Sequence, residues 1–275
     1  MPKGRTLDRG FSSAIAFLGG GRITAALAAG LRLVGDEREI VVYDRHPEKL
    51  RAMRRESRIT IARDLKSAIE SAGMLIIAVR PGSMREMLAE AAACGARWPR
   101  VCVSLAAGIP LRNLRTWLPR AKWARAMPSP VCRSGRGLTA ICFDRGVAER
   151  HRLAAHELFA RVGHVVEIPE KQFDAFTVAY SSSHGYHALA ALASAAEKAG
   201  LNRKTALLAA AHALADGVHY WRESGLSLDE LLAEAATPGG TAAAAMAAMD
   251  RAGYKHAVER GITAGIRQAR RNARG

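Results

Sequence analysis

Short apolar runs alternate with stretches of helical periodicity along the first half of the chain. Runs of about five residues are typical of buried parallel strands, and they occur at 14–18, 39–43, 74–79, 101–105, 123–126, 138–143 and 164–168. Between them, apolar residues recur every three or four positions, which predicts helices over 23–33, 47–56, 63–71, 83–94 and 148–161. This order predicts an α/β domain built on a doubly wound, mostly parallel sheet.

The pattern changes from about Pro169 onward, where no convincing strand is found. Alanine and leucine dominate predicted helical segments, separated by glycine and proline, at 173–200, 203–224, 227–236 and 241–274. We therefore predict a flexible tail over 1–11, an α/β domain over 12–169 and an all-helical domain over 170–275. The Ala/Leu stripes of the helical domain favour a partner subunit that covers them, with burial inside the chain as the alternative.

The chain has 41 Lys and Arg but only 25 Asp and Glu, and the resulting formal net charge of +16 indicates an anionic partner. Nucleic acid is not the expected partner, because arginine and alanine overuse is typical of a GC-rich genome and the basic excess is mostly arginine. The aromatic residues, 5% of the chain, are also scattered rather than interleaved with basic residues. No run of about 18 apolar residues occurs, so no membrane-spanning helix is expected.

Cysteine usage bears on the compartment and on metal binding. The four cysteines form no CxxC pair, and no HExxH-like pair of histidines occurs, so no metal site is predicted. The apolar segment after the basic N-terminus is too short for a signal peptide. We expect a cytoplasmic protein with reduced thiols.

A glycine-rich turn, Gly19-Gly20-Gly21, follows the first predicted strand and opens the first predicted helix. In this context Gly19 permits a tight turn, and Gly21 removes the side chain where the backbone meets a pyrophosphate. The start of the helix offers free N–H groups to the phosphates. A glycine cluster alone is more often a plain loop, but this placement indicates a dinucleotide site.

The residues after the second predicted strand give opposed indications about the dinucleotide. Asp44, 25 positions after Gly19, would bind a ribose 2′-hydroxyl and favours NAD. Arg45 would bind a 2′-phosphate and favours NADP. Arg22 adds positive charge at the same end of the fold. We predict NADP as the cofactor, with NAD as the alternative.

Further segments occur in the order of one known family. The chain has FLGGGRI at 17–23 where that family has FIGAGNM, AVRP at 78–81 for AVKP, and TPGGT at 237–241 for SPGGT. Residues 104–109 are similar to its S-x-x-AG-I turn and residues 125–128 to its R-x-MPN segment. Through these motifs, nearly the whole chain resembles the pyrroline-5-carboxylate reductase family.

The resemblance implies an N-terminal Rossmann domain, a C-terminal helical dimerisation domain and a homodimer. It implies hydride transfer from NAD(P)H to the C=N bond of a small cyclic imine carboxylate, 1-pyrroline-5-carboxylate, which gives proline. The implied cofactor residues are Gly19, Gly21, Arg22, Ile23, Asp44, Arg45, Ala78, Val79, Arg80, Pro81 and Ala107. The implied substrate residues are Ser182, Thr237, Gly239, Gly240 and Thr241, of which Ser182 and Thr241 are also predicted to be catalytic.

The departures from the family pattern lie at the substrate end. Ala242 stands where the family has a second threonine, and Ser129 stands where it has asparagine. His184 replaces a proline, and we predict that it protonates the product nitrogen, with capping or packing at a helix start as the alternative. These changes leave two other readings open: a paralogue that reduces a different imine or keto acid, and an inactive NADP-binding regulatory dimer.

Overall fold

The computed structural model describes residues 14–99 and 101–272, so the predicted tail over 1–11 lies outside the described residues. The chain folds into two compact units. The sheet unit holds the chain up to Thr177 and from Ile266 onward, and the helical unit runs from Val178 to Gly265. The predicted domain boundary, between the α/β domain ending at residue 169 and the helical domain beginning at residue 170, stays a prediction.

The described residues of the sheet unit form one eight-stranded sheet, which confirms the predicted doubly wound, mostly parallel α/β architecture. The strand order is β3-β2-β1-β4-β5-β6-β7-β8. Neighbouring strands are parallel except β6 and β7, which pair antiparallel. The strands are β1 Ile15–Leu18, β2 Ile40–Tyr43, β3 Thr60–Ile61, β4 Met74–Ile77, β5 Cys102–Ser104, β6 Trp123–Met127, β7 Gly137–Phe143 and β8 Gly163–Glu167.

The first helices alternate with these strands, as the periodicity predicts. They are α1 Arg22–Leu33, α2 Leu50–Ser57, α3 Leu65–Ser71, α4 Met84–Ala93, α5 Leu111–Trp117, α6 Glu149–Ala160 and α7 Phe173–Ala179. The sequence prediction missed α5, and it missed β3, whose two residues are too few to display a period. The predicted helix over 47–56 begins as a separate 3-10 turn, Pro47–Lys49, before α2.

The central strands β1 and β4 are buried on both faces, which explains why they are apolar throughout rather than alternating. The edge strand β8 is mostly exposed. Adjacent residues of β1 point to opposite faces. Phe17 belongs to an apolar layer with α1 and α6, and Leu18 belongs to a second layer with α3, α4 and α5. This two-layered core holds the ends of the central strands in fixed positions.

Long helices form the second half, and no strand occurs in its described residues after β8. They are α8 Ser183–Lys198, α9 Arg203–Ser224, α10 Leu228–Ala235, α11 Thr241–Arg251 and α12 Tyr254–Asn272. The helix predicted over 241–274 is two helices because Gly253 adopts a φ of +81°, which ends α11. The helix predicted over 173–200 is likewise divided into α7 and α8. Among the described residues, no helix is both long enough and apolar enough to cross a membrane.

One cation is buried in the sheet unit. Arg125 of β6 is only 2% exposed, and its guanidinium stacks on Phe173 at 4.3 Å from the ring centre. Its Nη1 and Nη2 atoms lie 3.5 Å from carboxylate oxygens of Glu170 and Asp174, respectively. Glu170 also accepts a hydrogen bond from the backbone N–H of Leu111, at 2.6 Å. Arg125 therefore links β6 to the starts of α5 and α7.

We expect Arg125→Ala to lower the free energy of unfolding by about 3 kcal/mol, because it leaves two carboxylates beside an apolar gap. Urea denaturation at one fixed protein concentration measures this. The control is Arg115→Ala, which removes a half-exposed arginine paired with Asp144 and should cost under about 1 kcal/mol. Equal losses in the two variants would contradict a special role for the buried cation.

Candidate functional site

Three strand ends meet at the glycine-rich turn between β1 and α1. The sheet order places β1 between β2 and β4, with Leu18 opposite Tyr43 on one side and Ile77 on the other. Gly19 donates its N–H to the carbonyl of Tyr43 at 2.8 Å, and Ala78 donates its N–H to the carbonyl of Leu18 at 2.8 Å. The turn is therefore fixed to the carboxyl ends of both neighbouring strands.

Gly19 makes this arrangement possible. Its φ is +106°, a conformation that other residues rarely adopt, and a Cβ there would lie 2.8 Å from the carbonyl oxygen of Ala78. The buried hydroxyl of Thr24 donates to the Gly19 carbonyl at 2.6 Å and ties the turn to α1. The tight turn expected at Gly19 therefore has a specific cause, the close approach of the backbone to the loop after β4.

Asp44 closes the turn from the β2 side. Its carboxylate accepts the N–H of Gly20 at 2.7 Å and the N–H of His46 at 2.9 Å. A Cβ at Gly20 would collide with Leu50, so Gly20 is required by packing. Sequence reasoning did not single out Gly20, since only the position of α2 shows this constraint. Each Asp44 oxygen keeps a further lone pair with which to accept a ribose hydroxyl.

Gly21 differs from its two neighbours. No atom lies within 4 Å of the place where its Cβ would be, and its φ of −78° is available to any residue. Gly21 is the N-cap of α1, and no side chain of the described residues caps that helix. The helix start therefore offers open space together with backbone N–H groups, as an anion site needs.

A cavity of about 460 Å³ opens at these strand ends. Its walls include seven of the predicted cofactor residues: Gly19, Gly21, Asp44, Arg45, Ala78, Val79 and Arg80. The walls also include residues that sequence reasoning did not single out: Gly20, Tyr43, His46, Lys49, Ser83, Met87 and Glu90. Helix α4 supplies two of these, and nothing in the local sequence marks them.

The other four predicted cofactor residues lie near the cavity's elements but are not among its lining residues. Arg22 is the exposed first residue of α1, and Ile23 packs against the core. Pro81 opens a 3-10 turn before α4, and Ala107 lies half-buried in the loop after β5. Their cofactor role stays a prediction.

The predicted substrate residues lie at two helix starts of the helical unit. Ser182 is the N-cap of α8, and the Nε2 atom of His184 lies 2.9 Å from the carbonyl oxygen of Val178. Gly240 is the N-cap of α11 and donates its N–H to the carbonyl of Thr237 at 2.9 Å. No described side chain caps α11, so its first turn resembles that of α1 in leaving N–H groups available. Thr241 is the first residue of α11.

All four cysteines are free thiols, and the three buried ones, Cys102, Cys132 and Cys142, are not suited to catalysis. Burial raises the pKa of Cys132 and of Cys142 to about 12, and it raises the pKa of Cys102 as well. A thiol with a raised pKa is a poor nucleophile. Among residues 14–99 and 101–272, no three His, Cys, Asp or Glu side chains converge as a metal site requires.

Family models match both parts of the chain. Residues 14–108 match the family described as NADP oxidoreductase coenzyme F420-dependent, and residues 170–272 match the one described as pyrroline-5-carboxylate reductase dimerisation. The curated pyrroline-5-carboxylate reductase of Mycobacterium tuberculosis is 30% identical over 276 residues, covering 91% of this chain and 93% of that protein. The Synechocystis protein of the same name is 29% identical, covering 93% and 96%.

A solved structure shows the same fold. The Plasmodium falciparum pyrroline carboxylate reductase, solved with NADP bound, superposes with a TM-score of 0.84. The match covers 96% of this chain and 100% of that chain at 19% sequence identity. The fold is thus shared along nearly the whole length of both proteins.

Substitutions at Gly19 and Gly21 should separate folding from binding. We expect Gly19→Ala to cost about 1–3 kcal/mol of stability and to abolish dinucleotide binding, because the turn must shift away from Ala78. We expect Gly21→Ala to change stability by less than about 1 kcal/mol while weakening dinucleotide binding about tenfold or more. Thermal denaturation and fluorescence titration with NADPH measure the two effects. Unimpaired NADPH binding by Gly21→Ala would show that no phosphate approaches this helix start.

Proposed function

The chain belongs to the pyrroline-5-carboxylate reductase family, and on this premise we propose that it reduces 1-pyrroline-5-carboxylate to proline with NADPH. The observation that carries this proposal is the cavity at the carboxyl ends of β1, β2 and β4, where a doubly wound sheet binds its dinucleotide. The second support is the match of residues 170–272 to the family's dimerisation domain.

The residues around the cavity fit NADP. The space left open by Gly21 and the uncapped start of α1 would accept the pyrophosphate. Asp44 and Arg45 lie where the adenosine ribose and its 2′-phosphate would be held, while Val79 and Arg80 form the opposite wall. The bound cofactor supplies the hydride, and the protein supplies position, charge and protons.

The start of α11 is suited to the substrate carboxylate. Its N-cap, Gly240, has no side chain with which to occupy the first N–H groups of the helix. An anion at this position would be stabilised by those N–H groups and by the positive end of the helix dipole. Thr237 and Thr241 flank the turn and would add hydroxyl groups. We assign carboxylate binding to this segment.

His184 and Ser182 are the proposed source of the proton that the ring nitrogen takes up. A carbonyl oxygen only accepts, so the Nε2 atom of His184 must carry the proton of its hydrogen bond to Val178. Its Nδ1 atom is then the ring nitrogen left to hold and donate a second proton. The carbonyl of Val178 would hold the ring in this orientation.

A different cyclic imine or keto acid as substrate is the second candidate function. It is favoured by Ala242, which offers no hydroxyl where the family has threonine. Ser129 is buried and accepts the N–H of Val131 at 3.3 Å, so this replacement for asparagine closes a local turn. Both changes concern residues that would face the substrate rather than the cofactor.

We propose a homodimer formed through the helical domain, in a cytoplasmic location. Large apolar side chains of the helical unit are more than half exposed in the single chain, among them Leu208, Tyr220 and Leu228. Burying them against a second copy would stabilise an association. The four unpaired cysteines support a reducing compartment.

The enzyme should oxidise NADPH when 1-pyrroline-5-carboxylate is added, and proline should be the product. Loss of NADPH absorbance, with product identified by chromatography, measures this, and Gly19→Ala is the inactive control. Turnover with only another imine or keto acid would favour the paralogue. Tight NADPH binding without turnover on any of a panel of imines and keto acids would favour the regulatory dimer.

His184→Ala should lower kcat by about 100-fold, the lower range for loss of general acid catalysis, and leave NADPH affinity unchanged. The matched control is His212→Ala, which removes an exposed histidine of α9 paired with Asp216. An unchanged kcat in His184→Ala would exclude His184 from catalysis.

A further inference from the structure

Arg45, at the wall of the cofactor cavity, is held by two carboxylates of α4. Its Nη2 atom lies 2.6 Å from an oxygen of Glu90 and 3.2 Å from an oxygen of Glu86. Its Nη1 atom donates to the second oxygen of Glu86 at 3.4 Å. One guanidinium thus bridges two glutamates and uses both terminal nitrogens to do so.

The two glutamates are placed for this purpose by the helix. They are four residues apart and so lie on one face of α4, one turn from each other. Like charges at this spacing repel, and Arg45 relieves the repulsion. The hydrogen bond with Glu86 and the charges of both glutamates raise the pKa of Arg45. The arrangement is therefore favourable for all three side chains before any ligand binds.

The charge of this trio matters for the cofactor. One cation and two carboxylates sum to −1, while a 2′-phosphate carries a charge of about −1.5 to −2. NADPH therefore brings its extra phosphate toward a guanidinium that is already neutralised, and NADH brings only a neutral hydroxyl. Lys49 and Arg80 line the same cavity, so it still accepts the anionic pyrophosphate shared by both cofactors.

We propose that Glu86 and Glu90 are specificity-determining residues. They restrain Arg45 and thereby lower the ratio of NADPH affinity to NADH affinity. This inference rests on the cofactor site of the proposed function. The charge of Asp44 could not be changed without disturbing the turn, because its carboxylate accepts the N–H groups of Gly20 and His46. The glutamates make no such contact with the turn, so their charges are free to set the selectivity.

The test uses binding probes that differ only in the 2′-phosphate, namely 2′,5′-ADP and 5′-AMP. In the double variant Glu86→Gln/Glu90→Gln, calorimetric titration should show 2′,5′-ADP bound about three- to tenfold more tightly, since the trio's charge rises to +1. The Kd of 5′-AMP should change by less than about twofold. The matched control, Glu149→Gln/Glu157→Gln on α6, makes the same change in net charge away from the cavity.

A second background assigns the effect to Arg45. The gain in 2′,5′-ADP affinity should fall to less than about twofold when the double variant also carries Arg45→Ala. An equal gain without Arg45, an equal gain in the α6 control, or no gain at all would each overturn the proposal. Since no imine is needed, a protein that gives the expected binding pattern but reduces no substrate keeps this inference and contradicts the proposed function.

Discussion

The close approach of Gly19 to the carbonyl of Ala78 is the constraint on which the cofactor end of the molecule depends. It brings the β1–α1 turn against the loop after β4, and hydrogen bonds to Leu18 and Tyr43 hold the three strand ends at one level. A side chain at Gly19 would separate them. The cavity, the start of α1 and the carboxylate of Asp44 all adjoin this turn, so their positions depend on the same contact.

The three consecutive glycines serve different physical needs. Gly19 is required by its backbone conformation and Gly20 by the neighbouring Leu50, whereas Gly21 faces open space. The protein thus needs two of them for its own packing, and the third leaves room for a ligand. Glycine-rich turns are common in ordinary loops, and the distinguishing feature here is the context, in which the third glycine starts an uncapped helix directly after a buried strand.

Two arginines of this arginine-rich protein are each neutralised by carboxylates that lie directly beside them. Arg125 is buried between an aromatic ring and two carboxylates, where it links elements of the sheet unit. Arg45 is half exposed and shared between two glutamates at the edge of the cavity. The overall charge of +16 describes neither environment, because ions in solution screen charges that lie more than about 10 Å from a site. In the proposed function, an anionic cofactor would be bound by a few nearby charged groups rather than attracted by the net charge.

The amino-acid sequence was enough to predict the alternation of strands and helices, the glycine turn, the helical second half and the family, since each depends on local periodicity or on contiguous motifs. Gly19, Asp44, Arg45 and the 78–80 segment could be assigned to one site because parallel strands end at the same edge of a sheet. Three features are visible in the folded chain alone: Asp44 closes the turn, Leu50 packs where a Cβ at Gly20 would lie, and Glu86 and Glu90 hold Arg45. These contacts join residues that are some 24 to 45 positions apart in the chain. No local sequence pattern encodes which residues at such separations come into contact.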